Sequence, residues 1–135
     1  MKDAMINANE LRIGNLVKLE NYFKIIGIMF RYGNDNYDIH VLRENSILIY
    51  KVLESELEPI PLTTEILEKC GFDWSIYHQA FHKLNLEFDL NESYPLGFSL
   101  CTFRNKLLVA PNIYFLHQLQ NLYFALTGEE LQINL

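Results

Sequence analysis

Pro59-Ile60-Pro61-Leu62-Thr63-Thr64-Glu65-Ile66-Leu67-Glu68-Lys69-Cys70-Gly71 changes the character of the chain midway. Each proline fixes its own φ and bars helix at the residue before it, so 59–61 reads as an extended connector. Beyond it, a threonine offers an N-cap, while Ile66, Leu67 and Cys70 fall on one helical face. Gly71 supplies the left-handed stop, and the pattern predicts a helix over 63–70. Turn signals and β-formers dominate before this stretch, and strand and helix patterns mix after it. The expected fold class is therefore α+β, with a small β lobe over 1–58 and an α+β lobe over 59–135. One compact domain is the other arrangement that this length admits.

Toward the N-terminus, Leu16-Val17-Lys18-Leu19 follows a Gly14-Asn15 turn signal. Tyr22 to Tyr32 is β-branched and aromatic, with Gly27 marking a bulge or bend. After the turn cluster Gly33-Asn34-Asp35-Asn36, two further strands are expected over Tyr37–Leu42 and Ile47–Val52. Short strands joined by tight turns predict an SH3-like barrel or a strongly bent antiparallel sheet, with a plain meander as the alternative.

Toward the C-terminus, Leu84, Leu86, Phe88 and Leu90 alternate with Lys83, Asn85, Glu87 and Asp89, the clearest period of two in the chain. Strands are expected at about 82–90, 98–103 and 106–110, with Arg104-Asn105 as a tight turn. A final helix over 114–127 places Phe115, Leu119, Leu122, Tyr123 and Leu126 on one face, and Thr127-Gly128 ends it. The second lobe is thus a helix, a short antiparallel sheet and a helix packed on that sheet.

The chain has 135 residues, half of them apolar. Surface scaling lets a chain of this size bury about two-thirds of its surface, enough to fold without staples. The net charge of −6 argues against a general phosphate-backbone binder. That charge is uneven, since residues 1–51 carry seven basic and six acidic side chains and the excess of acid lies beyond them. The first residues lack the apolar core of a signal peptide. The longest apolar stretch, Ile25-Ile26-Gly27-Ile28-Met29-Phe30, is too short to span a bilayer, so a cytoplasmic location without membrane contact is expected. Cys70 and Cys101 have no metal-ligand spacing and read as free thiols in a reducing compartment.

No glycine-rich phosphate loop and no GxSxG elbow is present. His78 and His82, four apart, would share a helical face as two zinc ligands do, but HQAFH lacks the glutamate of HExxH. They are taken as surface or boundary histidines. Glu87 and Asp89 would share a strand face at a separation useful for acid–base work, yet Lys83 and Asn85 on that face favour a solvated surface. Cys101 sits in a strand pattern and reads as structural. No catalytic residue, metal or cofactor is therefore expected. Tyr22, Arg31, Tyr32 and Tyr37 combine rings with a cation in the first lobe, the chemistry of a nucleotide or single-stranded nucleic-acid site, although strands need such rings for their core. His117, Gln118, Gln120 and Asn121 give the last helix neutral amides where charges are usual. They suit a second contact, at a subunit interface or with the other lobe.

Three stretches stand out as strings: Leu11-Arg12-Ile13-Gly14-Asn15-Leu16-Val17, then Pro59 through Phe72, then His117-Gln118-Leu119-Gln120-Asn121-Leu122-Tyr123-Phe124-Ala125-Leu126-Thr127-Gly128-Glu129-Glu130-Leu131. Together they resemble a group of small proteins encoded by bacteria and by phages or prophages, notably of gut anaerobes. The resemblance implies a cytoplasmic accessory protein and brings no catalytic residue. The expected function is a non-catalytic binding or adaptor protein acting on a protein partner or through self-association. A nucleotide or single-stranded nucleic-acid binding module is the alternative.

Overall fold

The computed structural model describes residues 10–19, 21–30, 37–43, 49–53, 56–84, 86–93, 97–102 and 104–134. In the N-terminal part, alternating apolar residues build β1 (Leu16–Leu19), β2 (Asn21–Phe30), β3 (Tyr37–Arg43) and β4 (Ile49–Leu53), an antiparallel sheet in the order β1-β2-β3-β4. Register pairs Val17 with Phe23, Ile25 with Val41 and Ile39 with Val52, which puts all six on one face. With Leu11 and Leu57 they form a buried core. Burying each such side chain contributes about 1.5–3 kcal/mol.

The register shifts between Ile25 and Gly27, so the bulge expected at Gly27 is present and bends β2. A closed barrel is not formed. Beyond the four-strand order, the described residues of this sheet add one bridge on the outer edge of β1, where Lys18 and Glu58 exchange backbone hydrogen bonds of 2.9 and 2.8 Å. One bridge covers part of an edge and leaves the sheet open.

The connector leads into α1 (Thr64–Lys69) as the capping signals predict. The Thr63 side chain accepts from the Ile66 N–H at 3.2 Å. At the other end the Phe72 N–H bonds Leu67 O and the Gly71 N–H bonds Glu68 O, both at 3.0 Å, a Schellman ending. Gly71 has φ +88, and Lys83 Nζ lies 2.5 Å from where a Cβ would stand. That ammonium donates to Cys70 O at 3.0 Å, so any side chain at 71 would be strained and would displace the lysine.

After α1 come β5 (Asp73–Ser75), β6 (Ala80–His82), β7 (Phe88–Glu92), β8 (Phe98–Thr102) and β9 (Leu108–Ile113), a five-stranded antiparallel meander in sequence order. Trp74, Phe81, Leu90, Leu100 and Ala110 are successive cross-strand partners and make its apolar row. Phe81 meets Trp74 and Phe98 edge to face at 5.4 and 6.2 Å. The single strand expected over 82–90 is replaced by two. Lys83 leaves the ladder to cap α1, the Leu86 N–H bonds Lys83 O at 3.0 Å, and Leu84 is 84% exposed. The hairpin of β5 and β6 is missing from the sequence reading because its strands are three residues each. β9 holds Pro111 at the sheet edge, where a missing N–H is tolerated.

The last helix, α2 (Leu116–Thr127), buries Leu116, His117, Leu119 and Gln120, whereas Leu126 is exposed. Its inner face is thus rotated from the purely apolar stripe. The chain divides into two units: the residues up to Ile60 with Leu116–Glu130, and Pro61–Phe115 with the residues from Leu131. The first break falls inside the proline connector, between Ile60 and Pro61. Helix α2, which chain order assigns to the second lobe, belongs with the first sheet because its amides bond that unit's backbone. No helix among the described residues is long and apolar enough to cross a membrane.

Candidate functional site

The face of the five-stranded sheet opposite the apolar row carries Asp73, His82, Asp89, Cys101 and Leu108, each opposite the next across the strands. Asp89, on the central strand β7, is 0% exposed. The solvated-face expectation for Glu87 and Asp89 therefore fails at Asp89, while Glu87 lies ahead of β7 and is exposed. Splitting the predicted strand ends the alternation that would have paired the two carboxylates.

Two turns close over Asp89. Between β5 and β6 the Gln79 N–H bonds Ser75 O at 2.8 Å, and the His78 N–H bonds Ser75 Oγ at 3.2 Å. Between β8 and β9 the Lys106 N–H bonds Thr102 O, and the Leu107 N–H bonds Thr102 Oγ1, both at 3.0 Å. Both turns return through a non-glycine residue at positive φ, Gln79 at 56° and Lys106 at 55°. Each such residue costs about 1–2 kcal/mol, and both adjoin this cluster.

His82 Nδ1 lies 2.5 Å from Asp89 Oδ1, and His78 Nδ1 lies 3.0 Å from Oδ2. The two imidazoles stack with centroids 4.4 Å apart and planes 3° from parallel. Lys106 Nζ is 3.5 Å from Oδ2 and donates to His78 O. Among the described residues, Oδ2 nevertheless accepts no hydrogen bond of proper geometry. Burying a carboxylate is unfavourable unless charges and donors surround it, and here three cationic or donor side chains do so. The cluster ties β6, β7 and two turns together. Among the described residues it is also the group of histidine, cysteine and carboxylate side chains whose ligand atoms converge, all within 4.8 Å of one another.

Around the two turns stand apolar side chains in water. Tyr77 is 99% and Ile76 78% exposed, and Leu107 and Leu108 are exposed beside Lys106. By contrast, a shallow depression of about 480 Å³ beside α1 is lined by Glu65, Glu68, Lys69, Gly71 and Asn134, all exposed.

The amides of α2 meet the segment over 10–16. Gln120, 2% exposed, accepts from the Leu16 N–H at 2.8 Å and donates to Gly14 O at 3.3 Å. Asn121 Oδ1 accepts from Asn15 Nδ2 at 2.7 Å and Arg12 Nε at 3.1 Å, and its Nδ2 donates to Glu10 O at 2.7 Å. Arg12 forks onto the Glu130 carboxylate and lies 4.4 Å above the Phe124 ring. The hydrogen bond from Arg12 holds the Glu130 carboxyl below its usual value, with burial opposing it and the charges of Arg12 and Lys24 adding to the lowering. His117 is buried, and desolvation pushes its pKa down, partly opposed by Glu10. Gln120 and Asn121, two of the four residues expected to make a second contact, thus use their amides inside one unit. Burial also drives the Cys70 thiol from 9.0 up to about 12, with Lys83 pulling the other way.

Of the expected ligand residues, Tyr22 lies on β2 opposite Lys18, and Tyr37 opens β3 opposite Phe30. Arg31 and Tyr32 lie outside the described residues. Sequence reading missed Lys106 and the union of His78, His82 and Asp89. The spacing His78-x3-His82-x6-Asp89 was the available signal. Comparison with family models, with curated proteins and with solved structures finds nothing that matches this chain.

Proposed function

We propose that this is a non-catalytic binding or adaptor protein, cytoplasmic and of the accessory kind that bacteria, phages and prophages encode. It would work through protein contacts made by the two turns of the five-stranded sheet. The observation that carries the reading is the set of exposed Ile76, Tyr77 and Leu107 on turns joined to the Asp89 cluster, with exposed Leu108 at the start of β9 beside them. Large apolar side chains clustered in water are characteristic of contact surfaces, and turns whose backbone is already fixed lower the ordering cost of binding. The combined variant Ile76→Ser, Tyr77→Ser and Leu107→Ser tests it. The variant should melt within a few degrees of the wild type and lose most of the partner protein that the wild type captures from host lysate. Light scattering reads self-association through the same residues. Equal capture by the variant, or no specific capture and no self-association by the wild type, would refute the reading.

A second reading rests on the first sheet. Lys18, Lys24 and Lys51 are exposed and share one face by register, together with His40. That row supports a nucleotide or single-stranded nucleic-acid partner. Fluorescence anisotropy with labelled oligonucleotides should then give binding that weakens steeply with salt, and no binding at low salt would eliminate it.

A further inference from the structure

We propose that His78, His82 and Asp89 bind one divalent transition-metal ion of the zinc, cobalt or nickel kind, and that Lys106 competes with it for the Asp89 carboxylate. The donor set is two imidazole nitrogens and one carboxylate, which suits borderline transition ions and not magnesium or calcium. The three ligand atoms already converge within 4.8 Å. Around a tetrahedral ion with bonds of about 2.0–2.2 Å, neighbouring ligand atoms stand roughly 3.3 Å apart. The observed 2.5 Å from His82 Nδ1 to Oδ1 and 3.0 Å from His78 Nδ1 to Oδ2 are therefore about 0.8 and 0.3 Å short, so the side chains must spread to admit the ion.

Asp89 supplies the second, independent sign. Its side chain is fully buried, and among the described residues Oδ2 finds no proper hydrogen bond although it faces His78 and Lys106. A buried carboxylate oxygen left in that state is one that a cation can satisfy. The imidazole rings are parallel, so their lone pairs do not yet meet at one point. Binding requires both rings, each slightly more than a fifth exposed, to turn toward one point. Lys106, nearly half exposed, can withdraw into solvent when the ion takes its place beside Oδ2. Three protein ligands leave a fourth position open to water or to a partner's side chain.

The test is calorimetric titration of the tag-free chain with zinc chloride, with cobalt(II) as the spectroscopic probe. One equivalent should bind. Cobalt should give visible bands of a nitrogen and oxygen site without the near-ultraviolet thiolate band, since Cys101 is outside the converging set. His78→Ala and Asp89→Asn should each weaken binding by at least about 100-fold. Lys106→Met should tighten it by about tenfold, because a competing charge at 3.5 Å is removed. Should Asp89→Asn fail to fold, His78→Ala on its surface turn and Lys106→Met decide the matter. No binding at stoichiometric protein, affinity unchanged in His78→Ala, or affinity unchanged or weakened in Lys106→Met would each overturn the proposal.

Discussion

Replacing Gln120 by methionine should destabilise the first unit by about 2–3 kcal/mol. Methionine has nearly the volume of glutamine and leaves no cavity, so the change isolates hydrogen bonding. Two backbone groups lose their partner. The Leu16 N–H, bonded at 2.8 Å to a side chain only 2% exposed, is orphaned at a cost of about 1–3 kcal/mol. Gly14 O is bonded at 3.3 Å in a half-buried position, and its longer bond adds about 0.5–1 kcal/mol. Urea unfolding followed by far-ultraviolet circular dichroism measures the sum. With a slope of about 1.5 kcal/mol per molar, the midpoint should fall by about 1.3–2 M. Fluorescence of Trp74, the single tryptophan and a residue of β5, reports the second unit separately. Coincident shifts mean that the units unfold together, and a shift in dichroism alone means that they do not. Gln132→Met, at an exposed position, is the control. A change under about 0.5 kcal/mol in Gln120→Met would show that water satisfies both groups and that the amide network is not what holds α2.

Ellman's reagent should titrate Cys101 alone in the native protein and both thiols after denaturation, because Cys70 is buried with its pKa near 12. Two rapid equivalents would contradict that burial. His117 has a folded pKa below its unfolded 6.5, so the unfolded state takes up the proton first. Stability should be full above about pH 6.5 and fall as pH drops toward the folded value, and His117→Gln should flatten that slope between pH 7.5 and 5. Glu130 has a depressed pKa, so its contribution is complete above the unfolded 4.5 and is lost as pH falls through the folded value. Glu130→Gln should reduce the midpoint change across that acid range and leave the slope near neutrality untouched. Gln79→Gly should raise stability by about 1 kcal/mol through relief of the positive φ, measured as an upward shift in the urea midpoint.

Local chemistry was legible wherever a residue acts on its near neighbours. Thr63 and Gly71 mark the two ends of α1, Gly27 marks the bulge, and the alternation of Val17, Phe23, Ile25, Ile39, Val41 and Val52 gives a half-buried sheet. The uncharged Gln120 and Asn121 signalled a contact but not its partner, since the segment over 10–16 is more than a hundred residues away. The run over 84–90 misled because a period of two does not reveal where a strand is interrupted. Lys83 is drawn away to the end of α1, and that attraction is tertiary.

By itself, then, the sequence determines the α+β class, the connector at Pro59–Pro61, the caps of α1 and a charge balance that differs between the two halves. Those follow from φ restrictions, side-chain periodicity and short-range hydrogen bonding. Only the tertiary structure decides that α2 joins the first sheet and that Asp89 is buried beneath His78, His82 and Lys106. The reason is cross-strand register. It sets His82 and Cys101 on either side of Asp89, and two turns with positive φ then fold His78 and Lys106 over the carboxylate.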